Sequence, residues 1–210
     1  KFAMVFPGQG SQSVGMLQGY GDSAEVREVL NVASEVLEQD VAKLIADGPA
    51  EELNQTVNTQ PVMLTAGVAA YRVWRALGGQ EPDIVAGHSL GEYTALVTAG
   101  AIDFAEALPL VRFRAQAMQD AVPQGEGAMA AILGLEDDAV RAACAEAAEA
   151  QVVEPVNYNA PSQVVIAGHA AAVQRAMAAA KARGAKRTVM LPVSAPFHSS
   201  LLAQIGRAHV

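Results

Sequence analysis

Short apolar runs alternate with longer segments of helical spacing over the first 123 residues. The pattern predicts a strand over 2–6, helices near 24–39 and 60–77, a strand over 83–87, a helix over 89–99, and a long Pro-containing helix from 103. Asp83-Ile84-Val85-Ala86 reads as a short buried strand, and the alternation implies a parallel sheet covered on both faces. Pro123-Gln124-Gly125-Glu126-Gly127 breaks this pattern. Beyond it the chain reads strand 128–135, helix 136–150, strand 152–158, strand 163–167, helix 170–183 and strand 186–193. That βαββαβ order is a ferredoxin-like signature. The expected architecture is α/β: a parallel-sheet, α/β-hydrolase-like large domain of residues 1–123 plus 195–210, and an inserted ferredoxin-like small subdomain of residues 124–194.

Chemistry enters at Gly87-His88-Ser89-Leu90-Gly91, a G-x-S-x-G pattern with a strand before it and Glu92-Tyr93-Thr94-Ala95-Leu96-Val97 ready to start a helix after it. Strand, sharp turn and helix are the setting in which a serine is held out as a nucleophile. Side chains two residues either side of it would collide under the turn, which accounts for the glycines. The helix start points N–H groups and a positive dipole end towards any charge developing near Ser89.

Four histidines could serve as its base. His88 is adjacent, but neighbours leaving a strand point to opposite sides, so it reads as a packed residue steadying the turn. His169 follows Val164-Val165-Ile166-Ala167-Gly168 and reads as a turn residue. His209 lies in the tail discussed below. His198, in Pro192-Val193-Ser194-Ala195-Pro196-Phe197-His198-Ser199-Ser200, sits where a strand enters a Pro-braced loop that can deliver an imidazole. All 22 acids lie in residues 1–154 beside eight bases, and residues 155–210 carry six bases and no acid. With no acid between Glu154 and His198, a Ser-His dyad oriented by a carbonyl or an amide fits better than a Ser-Asp/Glu-His triad.

Phe6-Pro7-Gly8-Gln9-Gly10-Ser11-Gln12, Gly87-His88-Ser89-Leu90-Gly91-Glu92, Arg112-Phe113-Arg114-Ala115-Gln116-Ala117-Met118, Asn157-Tyr158-Asn159 and Ala195-Pro196-Phe197-His198 follow one another in that order. Together they resemble the malonyl-CoA:acyl carrier protein transacylases of bacterial type II fatty acid synthesis, from the first strand to about Ala203. The resemblance implies a serine acyltransferase: malonyl passes from the coenzyme A thioester to Ser89 and then to the phosphopantetheine thiol of acyl carrier protein. It also implies that the N–H groups of Gln9 and Leu90 form an oxyanion hole and that Arg114 clamps the substrate carboxylate. The thioester is a substrate; no further cofactor and no metal are expected.

These residues also read on their own terms. Gln9 lies in a Gly-rich loop whose backbone can approach a ligand closely. The loop also opens like a dinucleotide fingerprint, but Ser13 stands where Gly or Ala is needed. Arg112 and Arg114 are two apart on an apolar helix and so face different ways; one reaches solvent and the other points inward, where a guanidinium grips a planar carboxylate or forms a buried ion pair. Asn157 and Asn159 share one strand face as possible pocket residues, and Met118, a turn beyond Arg114, is either pocket or core. Residues 175–187, with Arg175, Lys181, Arg183, Lys186 and Arg187, form a basic segment for an acidic carrier protein or a solvated helix end.

Fifty-one per cent hydrophobic residues over 210 positions suffice for a large core. Met63 to Leu77 is interrupted by Thr65, Tyr71, Arg72 and Arg75, so no membrane span is expected. The single cysteine, Cys144, excludes an internal disulfide and fits a cytoplasmic setting, and the start, inside a strand, shows no signal sequence. Malonyl-CoA and acyl carrier protein are the expected partners of a monomer, with no nucleic acid and no membrane. Ile205-Gly206-Arg207-Ala208-His209-Val210 reads as a translated sequencing adapter, which would make the chain a C-terminally truncated transacylase. An α/β-hydrolase-type esterase or thioesterase is the alternative; it would need a triad acid and has no use for an inward Arg114.

Overall fold

A computed structural model describes residues 1–123, 125–193 and 195–203. The adapter-like tail lies outside the described residues. The chain forms two compact units, Lys1–Gln116 and Ala117–Val210.

In the first unit, β1 (Ala3–Phe6) is followed by α1 (Ala24–Leu37), α2 (Val41–Asp47), α3 (Ala50–Leu53), α4 (Thr56–Ala76), β2 (Ile84–Gly87), α5 (Gly91–Thr98) and α6 (Phe104–Asp120), the last crossing into the second unit. Ser23 caps α1 by accepting from the Val26 N–H, and Val26, Val29, Ala33 and Leu37 bury one stripe of it. The helix stops where Glu38 turns left-handed at φ 50°. Asp40 caps α2 through the Lys43 N–H. These two short helices, α2 and α3, were not legible in the apolar spacing, being too brief to show a period. Leu64, Leu90 and Leu108 are at or near zero exposure in the core that α1, α4 and α6 share.

Strands β1 and β2 pair in parallel, with Ala3 opposite Ile84 and Phe6 opposite Gly87. Helix α5 packs on both. The strands are less covered than the sequence implies: Val5 is 72% and Ile84 63% exposed. Among the described residues this sheet has only two strands, and the side chains of Val5 and Ile84 stand largely uncovered.

The second unit is built on β3 (Gly127–Leu133), α7 (Asp137–Ala148), β4 (Val153–Ala160), β5 (Gln163–His169), α8 (Ala170–Ala182) and β6 (Arg187–Met190). Its sheet is antiparallel in the order β4-β5-β3-β6. Helices α7 and α8 cover one face and bury Ile132, Val140, Val164, Ile166 and Val173. A second cluster holds Met118, Met129, Val165, Ala195 and Phe197. The molecule is thus mixed α/β, one parallel and one antiparallel sheet. No helix among the described residues is long and apolar enough to cross a membrane.

Cys144 on α7 is buried, and burial, helped by the Glu154 charge, pushes its thiol up to about 12 from an ordinary value near 9. Between those values the folded chain keeps a proton that the unfolded chain releases, so this group's contribution to stability falls as pH rises through that window and is constant below it. The stability of the wild type relative to Cys144→Ala, from urea unfolding, should therefore drop by about 1–2 kcal/mol between pH 8 and pH 10.5. A constant difference would show the thiol to be exposed.

Candidate active site

The parallel register sets the turn after β1 beside the turn after β2. His88 N–H donates to the Phe6 carbonyl at 3.0 Å, and Gly91 N–H to the His88 carbonyl at 2.9 Å. A Cβ at Gly91 would run into the Phe6 carbonyl, and one at Gly87 into the backbone of Gly91. A Cβ at Gly8 would lie 2.6 Å from the His88 carbonyl oxygen. A side chain at Gly8 or Gly91 would push the two turns apart, and one at Gly87 would open the second turn itself. Between the glycines Ser89 takes φ 52°, the left-handed region that costs a residue with a Cβ roughly 1–2 kcal/mol.

Five non-glycine residues among those described have positive φ: Glu38, Ser89, Glu149, Ser162 and His198. Glu38 and Glu149 end helices, and Ser162 lies in the two-residue turn between β4 and β5. Ser89 and His198 have no such routine explanation. Strain outside caps and hairpins concentrates where a side chain must be aimed.

Around Ser89 the first unit assembles a polar cluster. Arg114 on α6 donates through Nη2 to Ser89 Oγ at 3.1 Å and through Nη1 to Gln60 Oε1 at 2.7 Å. Its guanidinium carbon stands 5.7 Å from the centre of the Tyr93 ring. Burial lowers the pKa of Arg114 from its ordinary value, and the Tyr93 hydroxyl opposes the shift. Among the described residues no carboxylate forms an ion pair with it. The buried ion pair weighed from the sequence is therefore absent there, and the inward cation is met by an amide, a hydroxyl and an aromatic face. Gln9 lies in the loop after β1 with its Nε2 donating to Thr56 Oγ1 at 3.1 Å. Leu90 is 1% exposed at the head of α5. Neither the Gln9 nor the Leu90 N–H enters a backbone–backbone hydrogen bond among the described residues.

Gln60 is the site residue that the sequence reading missed. It is 1% exposed on α4. Its signal was an amide in phase with Leu64 and Val68 on an otherwise apolar helix face, where a buried polar side chain needs a partner. Arg112 corrects another expectation: it does not run out to solvent. It docks on the end of α1, donating to the Leu37 carbonyl at 3.1 Å and to Gln39 Oε1.

His198 belongs to the second unit, exposed, at φ 66°, between buried Phe197 and buried Ser199. Met118 is 6% exposed in the same unit's cluster with Phe197. Asn157 pairs with Val165, but the register slips between Tyr158 and Ala160, leaving Asn159 outside the ladder. The simple alternation that put both asparagines on one face is broken by that bulge. The imidazole of His88 packs against Gly8, and His169 Nδ1 accepts from the Val152 N–H at 2.9 Å, so both have structural duties. The basic segment is partly neutralised from α7: Arg183 pairs with Glu146, and Arg175 lies 3.5 Å from Glu149. Lys181, Lys186 and Arg187 remain exposed.

A serine on a strained turn at a helix start, with a cation hydrogen-bonded to its hydroxyl, is a candidate nucleophile of the kind that can accept an acyl group. Residues 3–209 match the acyl transferase domain family, and the chain belongs to that family. It is 60% identical over 203 residues to the malonyl CoA-acyl carrier protein transacylase of Escherichia coli (strain K12), covering 96% of this chain and 66% of that one. The Bacillus subtilis (strain 168) transacylase is 46% identical, with 96% and 64% covered. The crystal structure of the acyl-carrier-protein S-malonyltransferase from Burkholderia pseudomallei superposes with a TM-score of 0.94 at 70% identity, covering 96% of this chain and 66% of that one. A malonyl-transacylase in complex with its type II PKS acyl carrier protein matches at 0.94 and 50% identity, with 99% and 70% covered. The chain thus spans just under two thirds of the length of the curated relatives it matches.

The strain at Ser89 is measurable apart from activity. Ser89→Gly removes the Cβ penalty and Ser89→Ala keeps it, so thermal unfolding should place the glycine variant about 0.5–1 kcal/mol above the alanine one despite glycine's greater unfolded-state freedom. Equal stability of the two would mean that the turn is relaxed.

Proposed function

We propose that the chain carries the catalytic part of a malonyl-CoA:acyl carrier protein transacylase. The observation that carries this reading is Arg114: a half-buried guanidinium hydrogen-bonded to Ser89 Oγ with no carboxylate paired to it among the described residues. A substrate bearing its own carboxylate next to the thioester satisfies that cation. An ordinary esterase substrate leaves it unmet.

In the proposed reaction Ser89 Oγ attacks the thioester carbonyl while His198 takes its proton. The N–H groups of Gln9 and Leu90 receive the oxyanion. The tetrahedral adduct collapses, the C–S bond breaks, and His198 returns the proton to the departing coenzyme A sulfur. The phosphopantetheine thiol of the carrier then reverses these steps, giving its proton to His198 and restoring the Ser89 hydroxyl. Met118, Asn157 and Asn159 are proposed as pocket residues. No metal or further cofactor takes part. The proposed architecture is an α/β-hydrolase-like domain of residues 1–123 plus 195–210 and a ferredoxin-like subdomain of residues 124–194, a description supported by the βαββαβ order and the strand order β4-β5-β3-β6. The single buried cysteine supports a cytoplasmic setting, and the enzyme is proposed to act as a monomer.

With malonyl-CoA, intact mass should reveal a malonyl adduct that Ser89→Ala abolishes and that His198→Ala forms roughly 10² to 10⁴ times more slowly. Arg114→Ala should weaken malonyl transfer by about 2–5 kcal/mol and acetyl transfer far less. Equal losses on the two substrates would reduce Arg114 to a structural role. Rapid release of free malonate without a carrier would favour the hydrolase.

Acyl carrier protein is the proposed acceptor, and Lys181, Lys186 and Arg187 supply unneutralised positive charge on a chain of net charge −8. Lys181→Glu combined with Lys186→Glu should raise the KM for carrier severalfold at about 0.05 M salt while leaving Ser89 acylation unchanged. An unaltered carrier KM would move the docking surface elsewhere.

A further inference from the structure

The loop carrying His198 is fixed on both sides of that residue and free at none of its neighbours. Before it, Phe197 lies in the cluster with Met118, Met129 and Val165, and its N–H donates to the Ala195 carbonyl at 3.0 Å. Pro196 is pressed so closely on Gly127 that any side chain there would strike its ring. Ser199, 5% exposed, donates from Oγ to the Pro196 carbonyl at 2.7 Å. After it, the Ser200 N–H and the Ser200 hydroxyl both donate to the Glu154 carboxylate, at 2.8 and 2.9 Å, one to each oxygen. The only exposed member of the stretch from 195 to 199 is His198, at φ 66°.

We infer that Glu154 is a positioning residue for His198, acting through Ser200. The inference rests on the reading of His198 as the general base. Glu154 stands on β4, 46 residues before Ser200, and is the last acid before His198. Its carboxylate holds the first residues of the 3-10 turn Ser200–Leu202 against the sheet. A left-handed residue between two anchors keeps its direction only while both anchors hold, since it relaxes to an ordinary φ once either end is released. The sheet thereby reaches the imidazole's backbone, and the carboxylate spends both oxygens on Ser200 instead of acting as a triad acid. A charged acceptor taking two donors is suited to this, because such bonds are shorter and stronger than neutral ones.

The test is a double-mutant cycle in the full chain, reading the rate of Ser89 malonylation by rapid quench and intact mass. Glu154→Ala should lower that rate about tenfold with the KM for malonyl-CoA unchanged, the loss of about 1.4 kcal/mol. Glu154→Gln, which still offers an oxygen to the Ser200 N–H, should recover most of it. In a His198→Ala background Glu154→Ala should have no further effect, because the loop then has no imidazole to aim. An equal tenfold loss in that background, or a loss residing in KM, would make Glu154 a general structural contact and overturn the inference. Backbone ¹⁵N relaxation decides the matter independently of chemistry: order parameters at His198 and Ser200 should fall from about 0.85 to below about 0.6 in Glu154→Ala. Unchanged order parameters sink the inference even if malonylation slows; absence of any adduct in the wild type, with the loop loosened as expected, sinks the reading of His198 and leaves the tether standing.

Discussion

The closeness of two backbone turns governs the site. Parallel pairing of β1 with β2 brings the Pro7–Gln9 loop against His88–Gly91, and this approach is possible only because Gly8 and Gly91 carry no side chain, while Gly87 lets the second turn close on itself. From it follow the left-handed Ser89, the immediate start of α5, and the proximity of the Gln9 loop to the head of that helix. The strain is modest against the packing that holds it. Leu90 is sunk in the core, and the Gly91, Glu92 and Tyr93 N–H groups are already bonded to His88, Ser89 and Leu90 carbonyls. A turn so pinned cannot relax without unpacking the helix behind it.

Around that turn the protein uses neutral groups to hold a cation. Gln60, the Ser89 hydroxyl and the Tyr93 ring orient Arg114 without cancelling its charge. A carboxylate partner would have stabilised the resting arginine and blunted its pull on a ligand. Arg112, two residues earlier, does the opposite job, spending its hydrogen bonds on the C-terminal end of α1 where carbonyls lack helical partners. Two arginines two positions apart on one helix are thus divided between scaffold and site by helical phase alone.

The elements that the sequence revealed are those with a long period or a mechanical signature. Helices α1, α4 and α6 and all six strands fall within a few residues of their expected places, and the G-x-S-x-G turn has the strand, left-handed serine and helix its glycines implied. What escaped had no local signal. The short α2 and α3 show no period; the β4 bulge that displaces Asn159 depends on partner strand β5; the pairing of Arg183 with Glu146 joins residues 37 apart. Gln60 was visible only as a polar letter in an apolar stripe, and its partner could not be named until α4 and α6 were set side by side. The exposure of Val5 and Ile84 was likewise hidden, because apolar alternation reports what wants burial and says nothing about whether a neighbour is there to provide it.

That exposure has a colloidal consequence. Strands β1 and β2 form a ribbon with an unpartnered row of N–H and C=O groups along each outer edge among the described residues, and with branched apolar side chains beside them. Such an edge is a template for another copy of itself. A net charge of −8 keeps copies apart at low ionic strength, but its reach shrinks from about 30 Å at 0.01 M salt to about 8 Å at 0.15 M, where short-range strand pairing is undiminished. Dispersal of this span in water is therefore a contest between a screened repulsion and an unscreened edge, tilted by the salt in which the protein is kept.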